Sequence, residues 1–460
     1  MRLFPVFIPA RIFALIFSEI VLIFAAFIGV AYYTLPVDPA DYLYDGGFLN
    51  IGLVVLSILL GLYINNLYAE ITVKSRTGLA QQLCLSIGIA FLMQGMITYL
   101  NQGLRVPIRL MVLGSAIAGI LIFAWRILFS AYVLKVVGGE RLLLIGGSQV
   151  LLDIAQHIHE HPEKGLLVTG YVDDVHEPES DLPGGKILGS LASLREIVAA
   201  IRPSRIVVGM FERRNRVPVS DLLELRFAGH VIEEAAAVYE RVCGRVCLRE
   251  LRPSQLIYSG ELGPRRGTLL LQGLINLVVA AIIVVLTLPL MLLTAIAMRL
   301  SSPGPVLYRQ VRIGMGDVPF TLYKFRSMRV DTGAAGAIDW TAADDPRLTR
   351  VGRIVRKLRL DELPQLFNVL RGEMSVVGPR PERPEFVKAL SEQIPYYRQR
   401  HCVRPGITGW AQINADESGE LEDTITRLER DLFYIKNMSL GLDTYIIVQT
   451  LKRLILPEAI

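Results

Sequence analysis

Cysteine is scarce: Cys84, Cys243, Cys247 and Cys402 are the only four in 460 residues, too few and too scattered for a disulfide framework. Cys243-x3-Cys247 has no second pair of ligands at metal spacing, so reduced thiols in a reducing cytoplasm are expected there rather than zinc. Histidine is also rare, and His157, His159 and His161, which alternate on a polar stretch, read as surface residues. No small-residue cleavage site follows the first apolar run, which therefore reads as an anchor and not as a removed signal peptide. A dinucleotide fingerprint is missing too. Gly146-Gly147-Ser148-Gln149-Val150 follows a predicted strand but holds Ser148 where G-x-G-x-x-G needs the glycine that lets backbone approach a pyrophosphate. No Tyr-x-x-x-Lys pair lies between residues 140 and 259, which disfavours an NAD-dependent sugar nucleotide-modifying enzyme built on that stretch.

Apolar residues, by contrast, are abundant. They make up 52% of the chain, and the mean hydropathy of +0.43 exceeds the soluble norm and points to membrane segments. The length calls for two or three domains. The formal net charge of +5 is modest, so clusters matter more than the sum. Four apolar runs, residues 12–33, 47–68, 79–100 and 108–129, each approach the ~20 residues that cross a hydrocarbon core. Arg2 and Arg11 precede the first; Asp38, Asp41 and Asp45 fill the next loop; Lys74 and Arg76 lie in the turn after that; Lys135 and Arg141 close the set. This pattern places both ends of the set in the cytoplasm, with Arg105 and Arg109 in the third loop dissenting.

From residue 140 to about 259 short β-rich runs alternate with helical ones. Strands are predicted at 141–145, 166–171, 205–210 and 246–251, and helices near 150–159, 191–200 and 221–227. Strands separated by helices argue a parallel, doubly wound, Rossmann-like α/β module. Asp173 and Asp174 end the second predicted strand, where a ribose ligand would sit or where a solvated turn would serve equally well. A regulatory or structural module is favoured over nucleotide binding.

A fifth apolar run, 269–298, is flanked by Arg265, Arg266 and Arg299. A straight helix of that length would reach ~45 Å against a core of ~30 Å, and Pro289 would cost about 3 kcal/mol in a regular interior. A full crossing would also put the rest of the chain outside, away from nucleotide-activated substrates. A re-entrant helix broken at Pro289 resolves both difficulties; a tilted fifth span is the alternative. Beyond it, residues 301–305 form a turn cluster, and residues 321–328, TLYKFRSM, interleave Lys324 and Arg326 with Tyr323 and Phe325. That alternation suits a strand presenting cations to phosphates, or an ordinary half-buried strand. Residues 333–345 read as a mobile loop, and the apolar side of residues 440–454 could lie on a membrane surface or in the core.

Residues 345–385 carry the chemistry. Arg347, Arg350, Arg353, Arg356, Lys357 and Arg359 precede the adjacent carboxylates Asp361 and Glu362, and Gly378-Pro379-Arg380-Pro381 closes the stretch. Carboxylates in so basic a surround imply an anionic substrate, with phosphate chemistry first. Cations at 350, 353, 356 and 359 would follow one helical face, and the rigid turn could fix Arg380 toward an anion. Asp361 fits a helix N-cap with Pro364 in the first turn, where free N–H groups favour phosphate; it could equally be a cap and nothing more. Two carboxylates in a cationic pocket can divide labour, one attacking phosphorus and one binding Mg²⁺. Spacing alone does not assign the two roles.

Residues from about 272 onward resemble the bacterial sugar transferases, the polyprenyl-phosphate hexose-1-phosphate transferases or monotopic phosphoglycosyl transferases. The segments that carry the likeness are YKFRSM at 323–328, DPRLTRVGRIVRKLRLDELPQLFNVLRGEMSVVGPRPE at 345–382, RPGITGWAQIN at 404–414 and YIKNMSLGLD at 434–443. The four N-terminal spans and the α/β module are similar to the large members. The resemblance implies that Asp361 is the nucleophile taking sugar-1-phosphate from a UDP-sugar with release of UMP, that Glu362 holds Mg²⁺, and that Lys324, Arg326, Arg356, Arg380 and Pro381 line the substrate site. Undecaprenyl phosphate would then accept the phosphosugar, the first membrane step of exopolysaccharide, capsule or O-antigen synthesis. Two departures stand out. Leu288 precedes Pro289 where small members often have Ser, with Thr287 one residue further back, and Leu358-Arg359-Leu360 stands where many members have Thr-Ser-Leu or similar.

The expected protein is thus an α plus α/β membrane protein: four transmembrane helices in a bundle (1–135), a Rossmann-like module (136–262), and a mostly helical catalytic domain (263–460) with a re-entrant helix at 269–298 broken at Pro289. It would sit in the bacterial inner membrane with the catalytic domain on the cytoplasmic face. Its expected partners are a UDP-sugar, undecaprenyl phosphate, membrane lipid and a second copy of the chain, with no nucleic acid. A scaffold that recruits assembly partners is the non-enzymatic alternative, and it gives the basic dyad segment no purpose.

Overall fold

The computed structural model describes residues 10–35, 38–68, 73, 75–133, 139–161, 165–174, 181–209, 218–249, 266–328, 348–414 and 421–455. The loop expected at 333–345 and Arg347 lie outside the described residues. Among the described residues the chain is mostly helical and has five helices long and apolar enough to cross a membrane; it forms two compact units that divide between Glu234 and Ala235.

Four of the long helices belong to the first unit: α1 (Ala10–Thr34), α2 (Phe48–Ile64), α3 (Arg76–Leu100) and α4 (Ile108–Leu128). They share one core that includes Ile23, Phe27, Ile51, Leu62, Leu110 and Ile122. Small residues set how closely they pack. A Cβ on Gly61 would lie 2.5 Å from the Ser86 carbonyl oxygen, and one on Gly114 would lie 2.7 Å from the Phe27 ring, so backbones approach where apolar solvent alone would not drive association. Inside this core Arg126 Nε lies 2.7 Å from Glu19 Oε1, and the Tyr68 hydroxyl donates to Glu19 Oε2 at 2.6 Å.

The same unit holds a six-stranded sheet, in the order β3-β4-β2-β1-β5-β6. Its strands are β1 (Glu140–Ile145), β2 (Leu166–Val172), β3 (Asp181–Leu182), β4 (Gly185–Gly189), β5 (Arg205–Val208) and β6 (Val231–Glu234), joined in part by α5 (Gln149–Glu160), α6 (Leu194–Ile201) and α7 (Val219–Phe227). All pairings are parallel except β3 against β4. β1, β2 and β5 answer to the predicted strands: β1 and β5 bury consecutive Leu, Ile or Val residues on both faces, as parallel sheets require, and β2 buries Val168, Tyr171 and Val172. The strand predicted at 246–251 is corrected: residues 246–249 have no strand conformation, and the Val246 N–H donates to the Glu429 carbonyl at 3.0 Å. The burial of Val246 and Cys247 in the second unit overrides β propensity; residues 250–251 lie outside the described residues.

The second unit opens with α8 (Ala235–Cys243) and the fifth long helix, α9 (Arg266–Ser301). The antiparallel hairpin of β7 (Leu307–Ile313) and β8 (Pro319–Phe325) follows, then α10 (Arg350–Lys357), α11 (Gln365–Leu370), β9 (Ser375–Val377), α12 (Pro384–Gln393), β10 (Gly406–Thr408), α13 (Trp410–Asn414), α14 (Leu421–Lys436) and α15 (Leu440–Ile455). β9 and β10 pair in parallel. The core draws Leu366, Val377, Leu428, Phe433, Leu442 and Ile446 around Ala280 of α9. On α15, Leu442 and Ile446 are buried while Leu451 and Leu454 are exposed, so the core and the outer surface each take one side of the helix.

The break expected at Pro289 is corrected: α9 remains helical through it, with the Thr287 hydroxyl turned back to the Ile283 carbonyl. Near its start Gln272 Nε2 donates to Asp443 at 2.8 Å and Asn276 Nδ2 to Ser375 Oγ at 2.7 Å. Just past its end Arg326 donates to the Ser302 and Pro303 carbonyls at 2.9 and 2.7 Å. Both ends are therefore tied to one domain. Between them Val285, Leu286, Leu292 and Leu293 are 71%, 75%, 58% and 65% exposed. Thr287 Oγ1 donates to the Ile283 carbonyl at 2.7 Å, one turn back on its own face.

Candidate functional site

Asp361 and Glu362 sit in a single 3-10 turn, Leu360–Glu362, that links α10 to α11. The chain enters it through Arg359, whose backbone is left-handed with φ 53°, a conformation that costs about 1 kcal/mol or more in a residue with a Cβ. The turn closes by donation from Glu362 N–H to Arg359 O at 3.3 Å and from Leu363 N–H to Leu360 O at 3.2 Å. The expectation of Asp361 as a helix N-cap is corrected here. Pro364 holds that position for α11, no side chain caps it, and the helix has only six residues. Positive charge beside the dyad thus comes from side-chain cations and not from a helix terminus.

Those cations arrive from elements far apart in sequence. Lys324 of β8 donates to Glu362 Oε1 at 2.9 Å, and Arg380 Nη2 lies 3.7 Å from the same oxygen. Burial pushes the Glu362 carboxyl up, but Lys324 and Arg380 outweigh it and hold Glu362 below the usual range. Asp361 moves the other way. Burial, then the neighbouring Glu362 charge, push it up to about 6, against the pull of Lys324 and Arg356. No cation among the described residues forms an ion pair with Asp361, so the two carboxylates differ in environment as two roles require. At neutral pH Asp361 is still about nine-tenths ionised.

A small open cleft lies beside the dyad, lined by Arg312, Leu322, Lys324, Gln365, Arg380 and Pro381, with Gly406 and Ile407. One face of the hairpin supplies Arg312, Leu322 and Lys324, since Arg312 pairs with Phe320 and Lys324 with Tyr308 across the ladder. The opposite wall is the Gly378 to Pro381 turn, and its backbone is fixed residue by residue. Gly406 N–H donates to Pro379 O at 2.9 Å, Arg400 Nη2 to Arg380 O at 2.9 Å, and Arg312 Nη1 to Pro381 O at 2.9 Å. Gly378 and Gly406 approach so closely that a Cβ on Gly406 would lie 2.1 Å from the Gly378 nitrogen. Burial lowers the Arg312 guanidinium from its ordinary value. The arrangement can hold a phosphate-rich group between three cations and beside the Asp361 carboxylate, which has no ion-pair partner among the described residues.

Residues 268–457 match the family profile described as bacterial sugar transferase. A UDP-glucose:undecaprenyl-phosphate glucose-1-phosphate transferase of Caulobacter vibrioides is 42% identical over 194 residues, 42% of this chain and 72% of that protein. The chain belongs to the bacterial sugar transferase family. Other members of that family extend the likeness. A UDP-N-acetylgalactosamine-undecaprenyl-phosphate N-acetylgalactosaminephosphotransferase of Aeromonas hydrophila is 44% identical over 218 residues, 47% of this chain and 51% of the relative. A UDP-glucose:undecaprenyl-phosphate glucose-1-phosphate transferase of Xanthomonas campestris pv. campestris is 32% identical over 339 residues, 69% of this chain and 66% of the relative. The chain thus spans between about half and two thirds of the length of these last two.

In this family member the structure brings Asp361, Glu362, Lys324, Arg380 and Pro381 together, and Arg356 is near enough to act on the Asp361 charge. Arg326 is not among the cleft-lining residues: it is 5% exposed and its donors go to Ser302 and Pro303. Arg350 and Arg353 are exposed on α10, and Arg359 lies past the end of that helix. Pro289 lies within α9, well away in sequence from the dyad turn. Arg312 and Gln365 were missed. The period-two pattern of residues 307–313 could have placed Arg312 on the face shared with Lys324, but nothing local marks Gln365, which is 3% exposed. A divalent cation has fitting donors in the dyad. Mg²⁺ takes one or two carboxylates with substrate phosphates, Glu362 Oε2 is engaged by neither Lys324 nor Arg380, and the repulsion that raises Asp361 is the kind a divalent charge relieves.

Proposed function

We propose that this protein transfers sugar-1-phosphate from a UDP-sugar to undecaprenyl phosphate by way of a phospho-aspartyl enzyme. A free Asp361 oxygen attacks the phosphorus that carries the sugar, and the bond from that phosphorus to the UMP oxygen breaks. UMP leaves and an acyl phosphate remains on Asp361. A phosphate oxygen of undecaprenyl phosphate then attacks the same phosphorus, the acyl–phosphorus bond breaks, and Asp361 is regenerated as lipid diphosphate-linked sugar departs. The observation that carries this reading is the asymmetry of the dyad: Glu362 is bound by Lys324 and Arg380, while Asp361 has no such partner among the described residues. Lys324, Arg380 and Arg312 neutralise the diphosphate so that an anionic nucleophile can approach it. Bound at Glu362, Mg²⁺ would supply further charge shielding and help the nucleotide leave.

The names of the relatives support the donor and acceptor classes. Five apolar helices support a membrane location, with the first four as a spanning bundle and the dyad on the cytoplasmic side of the inner membrane, where it would begin a surface polysaccharide. For α9, both ends fastened to one domain with an exposed apolar middle favours entry and return on one face over a crossing. The test is purified protein with Mg²⁺, undecaprenyl phosphate and a panel of UDP-sugars. UMP release is expected with at least one sugar and none from Asp361→Asn. Without lipid acceptor, at most one UMP per chain should appear, together with phosphosugar-labelled protein. A normal rate from Asp361→Asn would overturn the mechanism.

A further inference from the structure

We propose that the C-terminal turn of α5 in the α/β module is a divalent transition-metal site formed by His157, Glu160 and His161. Spacing of three and four residues puts all three on one helix face, and one ligand atom from each lies within 4.8 Å of the others. The imidazole rings of His157 and His161 already meet with centroids 4.4 Å apart. Tetrahedral zinc, with nitrogen ligands at about 2.1 Å, needs ligand atoms roughly 3.4 Å apart, a contraction that side-chain rotation supplies. The backbone need not move, because the His161 N–H donates to the His157 carbonyl at 3.1 Å and closes the turn.

Three further features favour a cation here. The end of a helix carries a partial negative charge. Glu160 adds a full one, and Gln156 Nε2, donating to Glu160 Oε1 at 2.8 Å, holds the carboxylate while leaving its other oxygen available. Two imidazoles with one carboxylate suit Zn²⁺, Cu²⁺ or Ni²⁺ and not Mg²⁺, so this chemistry is distinct from that of the Asp361 and Glu362 pair. With three protein ligands the ion keeps one position for water, and it clips His161, just beyond the helix, to the last turn.

The experiment uses the full-length protein in detergent without a polyhistidine tag, stripped with a chelator, loaded with Zn²⁺, desalted and assayed for metal by mass spectrometry. Wild type should retain one more zinc per chain than His157→Ala/His161→Ala, and Zn²⁺ should raise the thermal midpoint of wild type alone. Glu160→Gln should keep the imidazole pair yet bind at least about tenfold more weakly against a competing chromophoric chelator, since even outer partners of a metal ligand carry that much. UMP release, unchanged in these variants, reports that they are folded. Equal zinc in wild type and the double variant, from thiols or the dyad, would overturn the site.

Discussion

Arg400 donates to the carbonyl oxygen of Arg380 at 2.9 Å from the same nitrogen that lies 2.7 Å from Asp431. Arg400 and Asp431 are 3% and 2% exposed, so a buried ion pair supports the backbone of the residue that reaches Glu362. Breaking such a pair from one side leaves a buried charge alone, at about 3–5 kcal/mol. Arg400→Leu is therefore expected to lose that much stability in denaturant unfolding. Arg400→Lys keeps the charge but loses the fork that also meets the Tyr397 hydroxyl at 2.7 Å, and should raise KM for the UDP-sugar more than it lowers kcat.

The pH dependence follows from the dyad. Asp361 must be ionised to attack, so kcat/KM for UMP release should fall on the acid side, with an apparent pKa that Mg²⁺ at Glu362 draws below the value of about 6 for the metal-free dyad. Because the Glu362 charge raises Asp361, Glu362→Gln should move that limb to lower pH even as the rate drops. Lys324→Met, which removes a lowering charge, should move it to higher pH.

Stability carries the opposite sign. A carboxyl raised in the folded state favours folding below its ordinary value of 3.8, and that contribution is lost as pH rises through about 6. Asp361→Asn cannot ionise. It should therefore be more stable than wild type at pH 8, by on the order of 2 kcal/mol, with the difference vanishing near pH 4 in thermal unfolding scans.

Gly406 has no room for a side chain, since its Cβ would strike the backbone of Gly378 and Thr408 at 2.1 and 2.4 Å. Gly406→Ala must separate β9 from β10, at about 1–3 kcal/mol or more, and should abolish UMP release by displacing Arg380. Retained activity would show that the wall of the cleft is more yielding than its contacts imply.

The placement of α9 can be read by labelling. In a cysteine-free background, Gly267→Cys and Ser301→Cys should both react with an impermeant maleimide from the cytoplasmic side of oriented vesicles. Reaction from opposite sides would establish a crossing helix.

Much of this was legible in the chain. The apolar runs carry their own length signal, the central strands β1 and β5 carry unbroken Leu, Ile or Val runs, and the dyad announces itself by its basic approach. What could not be read depends on distant partners. Arg326 alternates with Lys324 as if both faced one phosphate, yet it turns to Ser302 because the end of α9 offers unsatisfied carbonyls there. Asp361 looks like a cap, but left-handed Arg359 tightens the chain into a separate turn before the helix starts. β4 and β6 are short, and one opens on glycine while the other ends in two glutamates, so neither carries a strand signature until its neighbours exist.

Pro289 has one more consequence. It has no N–H, so the carbonyl of Val285 cannot receive the usual bond from four residues on, and the Thr287 hydroxyl is already committed to Ile283. An unpaired carbonyl in hydrocarbon costs several kcal/mol, and Val285 is 71% exposed. Were α9 to enter a bilayer, it would work as a depth gauge: the Val285 oxygen could sink only as far as water or lipid headgroups can follow it, and the bilayer beside it should be locally thinned and hydrated.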